Sequence, residues 1–130
     1  MYLLDTNICI DFVDGRNDVV RDRIRAMFPS GLSVSSITAA ELLVGPRESQ
    51  DPKENRERVE KFLSVIGVVD FDHAAANAYA ALVQQVGMKR RSFDKLIAAH
   101  AQSLGLILVT SNTKHFADVP GLKVENWAKA

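Results

Sequence analysis

Asp5, Glu41 and Asp94 are three carboxylates that each sit in apolar company. Asp5 ends the run Tyr2-Leu3-Leu4. Glu41 is embedded in Ile37-Thr38-Ala39-Ala40-Glu41-Leu42-Leu43-Val44, and Asp94 lies in Ser92-Phe93-Asp94-Lys95-Leu96-Ile97-Ala98-Ala99. Desolvation disfavours an ionised carboxylate in such surroundings unless a partner compensates. A divalent cation is the simplest partner that would serve all three at once. Oxygen ligands suit hard ions such as Mg²⁺ or Mn²⁺. Such an ion acidifies a bound water and polarises a phosphoryl oxygen, which is the chemistry of phosphodiester cleavage.

Each acid also admits a plainer reading. Asp5 fits an Asx-turn at a strand end, and Asp94 fits a cap or dipole partner at a helix start. Glu41 is harder to dismiss, because its helical segment carries no other charge and no partner lies three or four residues away. Asp11 and Asp14 fall on the helix or turn after Asp5 and read as solvated surface. Cys9, at helical spacing beside Phe12 and Val13, reads as core.

The elements that must position these acids follow from apolar periodicity. Tyr2 to Leu4, Leu32 to Ser35, Gly67 to Phe71, Leu106 to Thr110 and a weaker Leu122 to Val124 read as strands. Helical spacing covers Asn17 to Phe28, the segment around Ala39 to Val44, Asn55 to Ile66, His73 to Val86 and Phe93 to Ser103. Asp72 and Ser92 are the expected caps of the last two, with Gly87 and Gly105 beyond their ends. Arg47 to Lys53 reads as a polar loop. Alternating strands and helices predict an α/β sandwich around a mainly parallel sheet flanked by helices, in one domain over residues 1–130. In such a sheet ligands collect beyond the carboxyl ends of the strands. Asp5 and Asn112 both stand there. The stripe Ile37, Ala40, Glu41, Val44 is expected to face the sheet and turn Glu41 inward, and Asp94 shares a stripe with Ile97, Ala98 and Ala101.

Composition bounds the class. The chain has 130 residues, 47% of them hydrophobic and 25% charged, which suits a globular domain with a sizeable core. Sixteen basic and sixteen acidic residues give a formal net charge of zero, so bulk positive charge is not the means of binding any nucleic acid. No apolar stretch nears the roughly 20 residues that span a bilayer, and no secretory leader is visible. Cys9 is the only cysteine, which excludes an internal disulfide and fits a reducing, cytoplasmic setting.

At these residues the chain resembles the PIN-domain ribonucleases, and most closely the VapC toxins of bacterial toxin–antitoxin pairs. The resemblance runs through Met1-Tyr2-Leu3-Leu4-Asp5-Thr6-Asn7, Ser35-Ser36-Ile37-Thr38-Ala39-Ala40-Glu41-Leu42, Phe93-Asp94-Lys95-Leu96-Ile97-Ala98-Ala99 and Leu108-Val109-Thr110-Ser111-Asn112. It spans the chain in a single order and closes on Val124-Glu125-Asn126-Trp127. It implies a PIN-like three-layer sandwich and a metal-dependent endoribonuclease whose Mg²⁺ or Mn²⁺ is held by Asp5, Glu41 and Asp94. Thr6 and Thr110 match hydroxyl residues that support those acids, although ordinary turn and strand-end bonding explains both equally well. Many PIN domains place a fourth acid where this chain has Asn112, a departure that favours one ion over two. The resemblance further implies an antitoxin partner that blocks the groove, a homodimer, and an RNA substrate, with initiator tRNA among the RNAs such toxins cleave.

Other polar and aromatic residues carry plainer expectations. Lys89-Arg90-Arg91 precedes the Asp94 segment and reads equally as an RNA-phosphate contact or a solvated loop. His115 reads as an exposed turn residue, His100 as a helix-surface or partly satisfied histidine, and His73 as a first-turn residue. Trp127 reads as closing the fold. A competing hypothesis keeps the fold but makes the chain a non-catalytic, metal-binding partner in an antitoxin complex that autoregulates its promoter. A phosphorylated receiver is disfavoured, because Thr110-Ser111 supplies no lysine after the late strand.

Overall fold

The computed structural model describes residues 1–45, 50–87 and 92–129. Five strands form one sheet in the spatial order β3-β2-β1-β4-β5: β1 (Tyr2–Leu4), β2 (Leu32–Ser35), β3 (Val68–Val69), β4 (Ile107–Val109) and β5 (Val124–Glu125). Every pairing is parallel. Among the described residues six α-helices flank the sheet: α1 (Thr6–Val13), α2 (Asp18–Met27), α3 (Ser36–Val44), α4 (Pro52–Ile66), α5 (His73–Val86) and α6 (Phe93–Leu104).

Alternate residues of the central strands enter opposite layers. Leu4 and Val109 pack with Ile8, Val20, Ile24, Val59, Phe62 and Trp127. Leu3 and Leu108 pack instead with Leu82, Ile97, Ala98, Ala101 and Phe116. Burial on both faces explains why the strands read as continuous apolar runs, and it makes the fold a three-layer sandwich. Trp127 is fully buried and stacks at a tilt on Tyr2 with ring centroids 5.1 Å apart, so it does close the fold.

The strand order places the site. The chain steps outward from β1 through β2 to β3, then returns to the other side of β1 with β4. Connections leave the carboxyl ends of β1 and β4 in opposite directions, and the gap between them is the switch point of the sheet. The Asp5 amide donates to the Val109 carbonyl at 2.8 Å, so the two strand ends stay paired up to that gap.

Element bounds differ from the periodicity in physically informative ways. Asn17 is the cap of α2 rather than its first residue: its side chain accepts from the amides of Val19 and Val20, and Phe28–Ser30 tightens into a 3-10 turn at Pro29. Pro52 and Lys53 belong to α4, because Asp51 caps at Glu54 and proline is tolerated in a first helical turn. The third strand shortens to two residues, and the last one shifts to Val124–Glu125.

Candidate active site

Asp5 forms the N-terminal cap of α1. Its Oδ1 accepts from the Thr6 amide at 2.8 Å, and its Oδ2 accepts from the Thr110 hydroxyl at 2.8 Å. Thr110 in turn accepts from the Asn112 amide at 3.0 Å, so β1 and the loop after β4 are joined through one hydroxyl. Burial raises the Asp5 pKa above its ordinary value of 3.8, opposed by the Thr110 and Thr6 hydrogen bonds and reinforced by the charges of Asp94 and Glu41. Asp5 therefore feels both other acids across the switch point.

Glu41 reaches the site from α3, which Ser35 caps at the end of β2 by accepting from the Ile37 amide. The Thr6 hydroxyl donates to Glu41 Oε1 at 2.8 Å and lies 3.2 Å from Thr38 Oγ1. The expected facing of α3 is corrected here. Thr38, Ala39 and Leu42 are its buried residues, whereas Ala40 is exposed and Val44 is 58% exposed. A helix apolar almost all round offers more than one stripe that obeys helical spacing, and tertiary packing decided between them. Glu41 is consequently half-buried at the margin of the packed face, on the side that opens to the groove.

Asp94 occupies the first turn of α6, which Ser92 caps by accepting from the Lys95 amide. Ile97, Ala98 and Ala101 are buried as expected and leave Asp94 half-buried at the mouth. His115, from the 3-10 turn Thr113–Phe116, lies with Nδ1 3.0 Å from Asp94 Oδ2. With that nitrogen donating to the carboxylate, Nε2 accepts from the Asn112 side-chain amide at 3.2 Å. The amide nitrogen of Asn112 is thus engaged, and its Oδ1 remains as a neutral oxygen donor.

The site thus gathers Asp5, Glu41, Asp94, Thr6, Thr110 and Asn112, all anticipated from sequence. Three contributors were not anticipated in their roles. Thr38 supports Thr6, and its buried hydroxyl inside an apolar helix was the available signal. His115 is exposed as expected but holds Asp94. Lys95 is buried and donates to the His115 carbonyl at 3.0 Å and to Asp118, pinning the turn that carries His115 onto α6. His100 takes the second of its two expected readings, a partly satisfied histidine rather than a surface one: it is fully buried, with Nδ1 2.8 Å from Ser35 Oγ, Nε2 without a hydrogen-bond partner among the described residues, and its ring edge-on to Phe71. It faces the junction of β2 and α3, where Ser35 caps the helix. Cys9 is core, and burial pushes its thiol well above its ordinary value. Lys89, Arg90 and Arg91 lie outside the described residues.

Among the described residues, no three Asp, Glu, His or Cys side chains already stand at metal-ligand spacing around one point. Asp5, Glu41 and Asp94 are turned instead toward Thr110, Thr6 and His115. The donor set nevertheless fits a hard cation. Mg²⁺ commonly takes one or two carboxylates and keeps several waters, so a preformed cage is not a requirement. A cation would also relieve the like-charge and desolvation cost that raises Asp5. From Glu41 a groove of about 620 Å³ runs outward between α1, α3 and α4.

The PIN domain family model matches residues 2–122. The tRNA(fMet)-specific endonuclease VapC of Shigella flexneri is 39% identical over 130 residues, covering 98% of each chain. Ribonuclease VapC2 of Rickettsia felis is 33% identical over 133 residues, covering 99% of each. Among solved structures, the DNA-bound VapBC of Salmonella typhimurium superposes with a TM-score of 0.87 at 35% identity, over 97% of each chain. VapBC2 of Rickettsia felis, bound to a DNA fragment from its promoter, gives 0.86 at 32% identity, over 97% of this chain and 98% of that one. The chain belongs to the PIN-domain family and, within it, to the VapC ribonucleases.

Proposed function

We propose that this chain is a Mg²⁺- or Mn²⁺-dependent endoribonuclease and the toxin of a toxin–antitoxin pair. The observation that carries the reading is the meeting of Asp5, Glu41 and Asp94 at the switch point of a parallel sheet, with Asp5 buried and its pKa raised partly by the other two. Asp5, Glu41 and Asp94 would hold the ion, with Asn112 as a neutral fourth oxygen. A bound ion of this kind supplies an acidified water and a counter-charge for the phosphoryl oxygens.

The remaining work falls to the chain itself. Thr110 fixes the Asp5 carboxylate, Thr6 steers Glu41, and His115 orients Asp94 through Oδ2. These hydrogen bonds hold each carboxylate beside the switch point, from which a bound ion would gather them where a phosphodiester and a water can enter together. No side-chain nucleophile is needed.

The solved relatives are toxin–antitoxin complexes, and this chain is read as taking a cognate antitoxin in the same way. An apolar groove of about 490 Å³ between α1, α2 and α4 fits that partner. Phe12, Phe28 and Phe62 line it, and Arg25, Arg58 and Lys61 stand at its rim, which suits an amphipathic segment with acidic side chains. That two neighbours are bound to DNA favours promoter binding by such a complex as an added role rather than a replacement for cleavage. Pairing of two copies of the chain belongs to the same proposal.

The substrate named for the Shigella relative makes initiator tRNA the first RNA to test. Brief expression in a bacterial host followed by sequencing of RNA ends should reveal new 5′ ends at a defined RNA position. Those ends should vanish with Asp5→Asn. A normal RNA profile at full expression of folded protein would sink the proposal.

A further inference from the structure

The groove that opens from Glu41 has an unassigned polar wall. Arg16, just beyond the end of α1, and Arg58, on the outer face of α4, both line it, together with Asp14 and Asn55. Arg16 Nη2 is 3.3 Å from Asp14 Oδ2, a single contact on a side chain that is 67% exposed, so most of its donor fork is uncommitted. Arg58 makes no ion pair among the described residues and lies on the ridge between this groove and the apolar one.

Two guanidinium groups thus line one cleft of a chain whose formal net charge is zero. They sit on the Glu41 side of the acid cluster, where a polyanion bound at that cluster must continue in one direction or the other. An ion at the cluster serves the phosphate that is cut, whereas the flanking phosphates of the strand still need a counter-charge close by. A planar guanidinium pairs with phosphate through two parallel N–H donors, a geometry lysine cannot reproduce. A cleft of about 620 Å³ is within the usual range for a ligand site.

We propose that Arg16 and Arg58 bind backbone phosphates of the RNA substrate beside the bond that is cut, making this groove the arm of the site that holds the strand in register. The inference rests on the ribonuclease reading above. It predicts sequence-independent affinity from these residues, since phosphate contacts position a strand without reading bases.

The test is steady-state cleavage of an initiator-tRNA transcript in Mn²⁺ at several salt concentrations. Arg58→Ala should raise KM about tenfold with kcat within about twofold of wild type. The logarithmic fall of kcat/KM with salt should flatten by about 0.7 for each phosphate that the variant no longer neutralises. Arg16→Ala should act in the same direction, Arg58→Lys should recover only part of the affinity, and Lys53→Ala on the same helix should leave KM unchanged. Thermal melting and Mn²⁺ affinity equal to wild type would show that the fold and Glu41 are intact in each variant. Unaltered KM and salt slope in both arginine variants would overturn the inference, as would a loss confined to kcat or a loss of antitoxin affinity alone. A wild-type protein that cleaves no RNA would instead remove the ribonuclease reading on which the inference stands.

Discussion

The Thr110 hydroxyl donates to Asp5 Oδ2 at 2.8 Å, joining residues 105 positions apart. The same hydroxyl accepts from the Asn112 amide at 3.0 Å, so one oxygen orders two of the groups that define the site. Thr110→Val keeps the shape and removes both bonds. It should cost about 1–3 kcal/mol of stability, the usual loss for buried groups left unpaired. It should also weaken Mn²⁺ binding about tenfold or more, as removal of a group that orients a ligand does. Urea melts and an Mn²⁺ titration of the same sample check the two halves separately, and unchanged Mn²⁺ affinity would refute the orienting role.

Asp5 carries a cost in the metal-free protein. Burial, with Asp94 and Glu41 adding to it, raises its pKa above the ordinary 3.8. For an acid whose folded pKa is raised, the folded state is favoured while the group is protonated. That stability is lost as pH rises from the unfolded value through the folded one. Asp5→Asn keeps an oxygen for the Thr6 amide and discards the charge. At neutral pH in chelator it should therefore be more stable than wild type by on the order of 1 kcal/mol, while cleaving no RNA. Added Mn²⁺ should raise the melting temperature of the wild type only. A destabilised Asn variant in chelator would contradict the electrostatic account.

His100 has the opposite pH signature. Burial lowers its pKa below 6.5, so the unfolded chain binds the proton first. Its contribution is intact above pH 6.5 and is lost as pH falls from 6.5 toward the lowered folded value, by up to about 1.4 kcal/mol per pH unit. His100→Gln should flatten that part of the profile. Denaturant unfolding at pH 7.5, 6.5 and 5.5 compares the two, and parallel profiles would show that His100 does not titrate with folding. Because Nδ1 of His100 meets Ser35 Oγ at the start of α3, the same residue ties the helix of Asp94 to the helix of Glu41.

The acids were legible in the sequence because each is a charge where periodicity calls for an apolar residue. The strands were legible because burial on both faces makes them continuous apolar runs, and Asp72, Gly87 and Ser92 marked helix ends by capping chemistry. What stayed hidden depends on contacts between distant elements. The Asp94–His115 pair spans 21 residues and the Ser35–His100 pair 65, and no local pattern encodes either. The outward face of α3 was hidden for a different reason: an almost wholly apolar helix does not announce which side is packed. Arg16 and Arg58 carry no local signal, and only the fold sets them in one groove with Glu41.

The most direct test is metal add-back. Purified protein stripped with chelator should leave an initiator-tRNA transcript intact, and adding Mn²⁺ or Mg²⁺ should restore cleavage. Folded Asp5→Asn, Glu41→Gln and Asp94→Asn should each remain at least about a hundredfold slower at the same metal concentration. Full cleavage in chelator, or cleavage by any of these folded variants at the wild-type rate, would contradict the assignment of the three acids to a divalent cation.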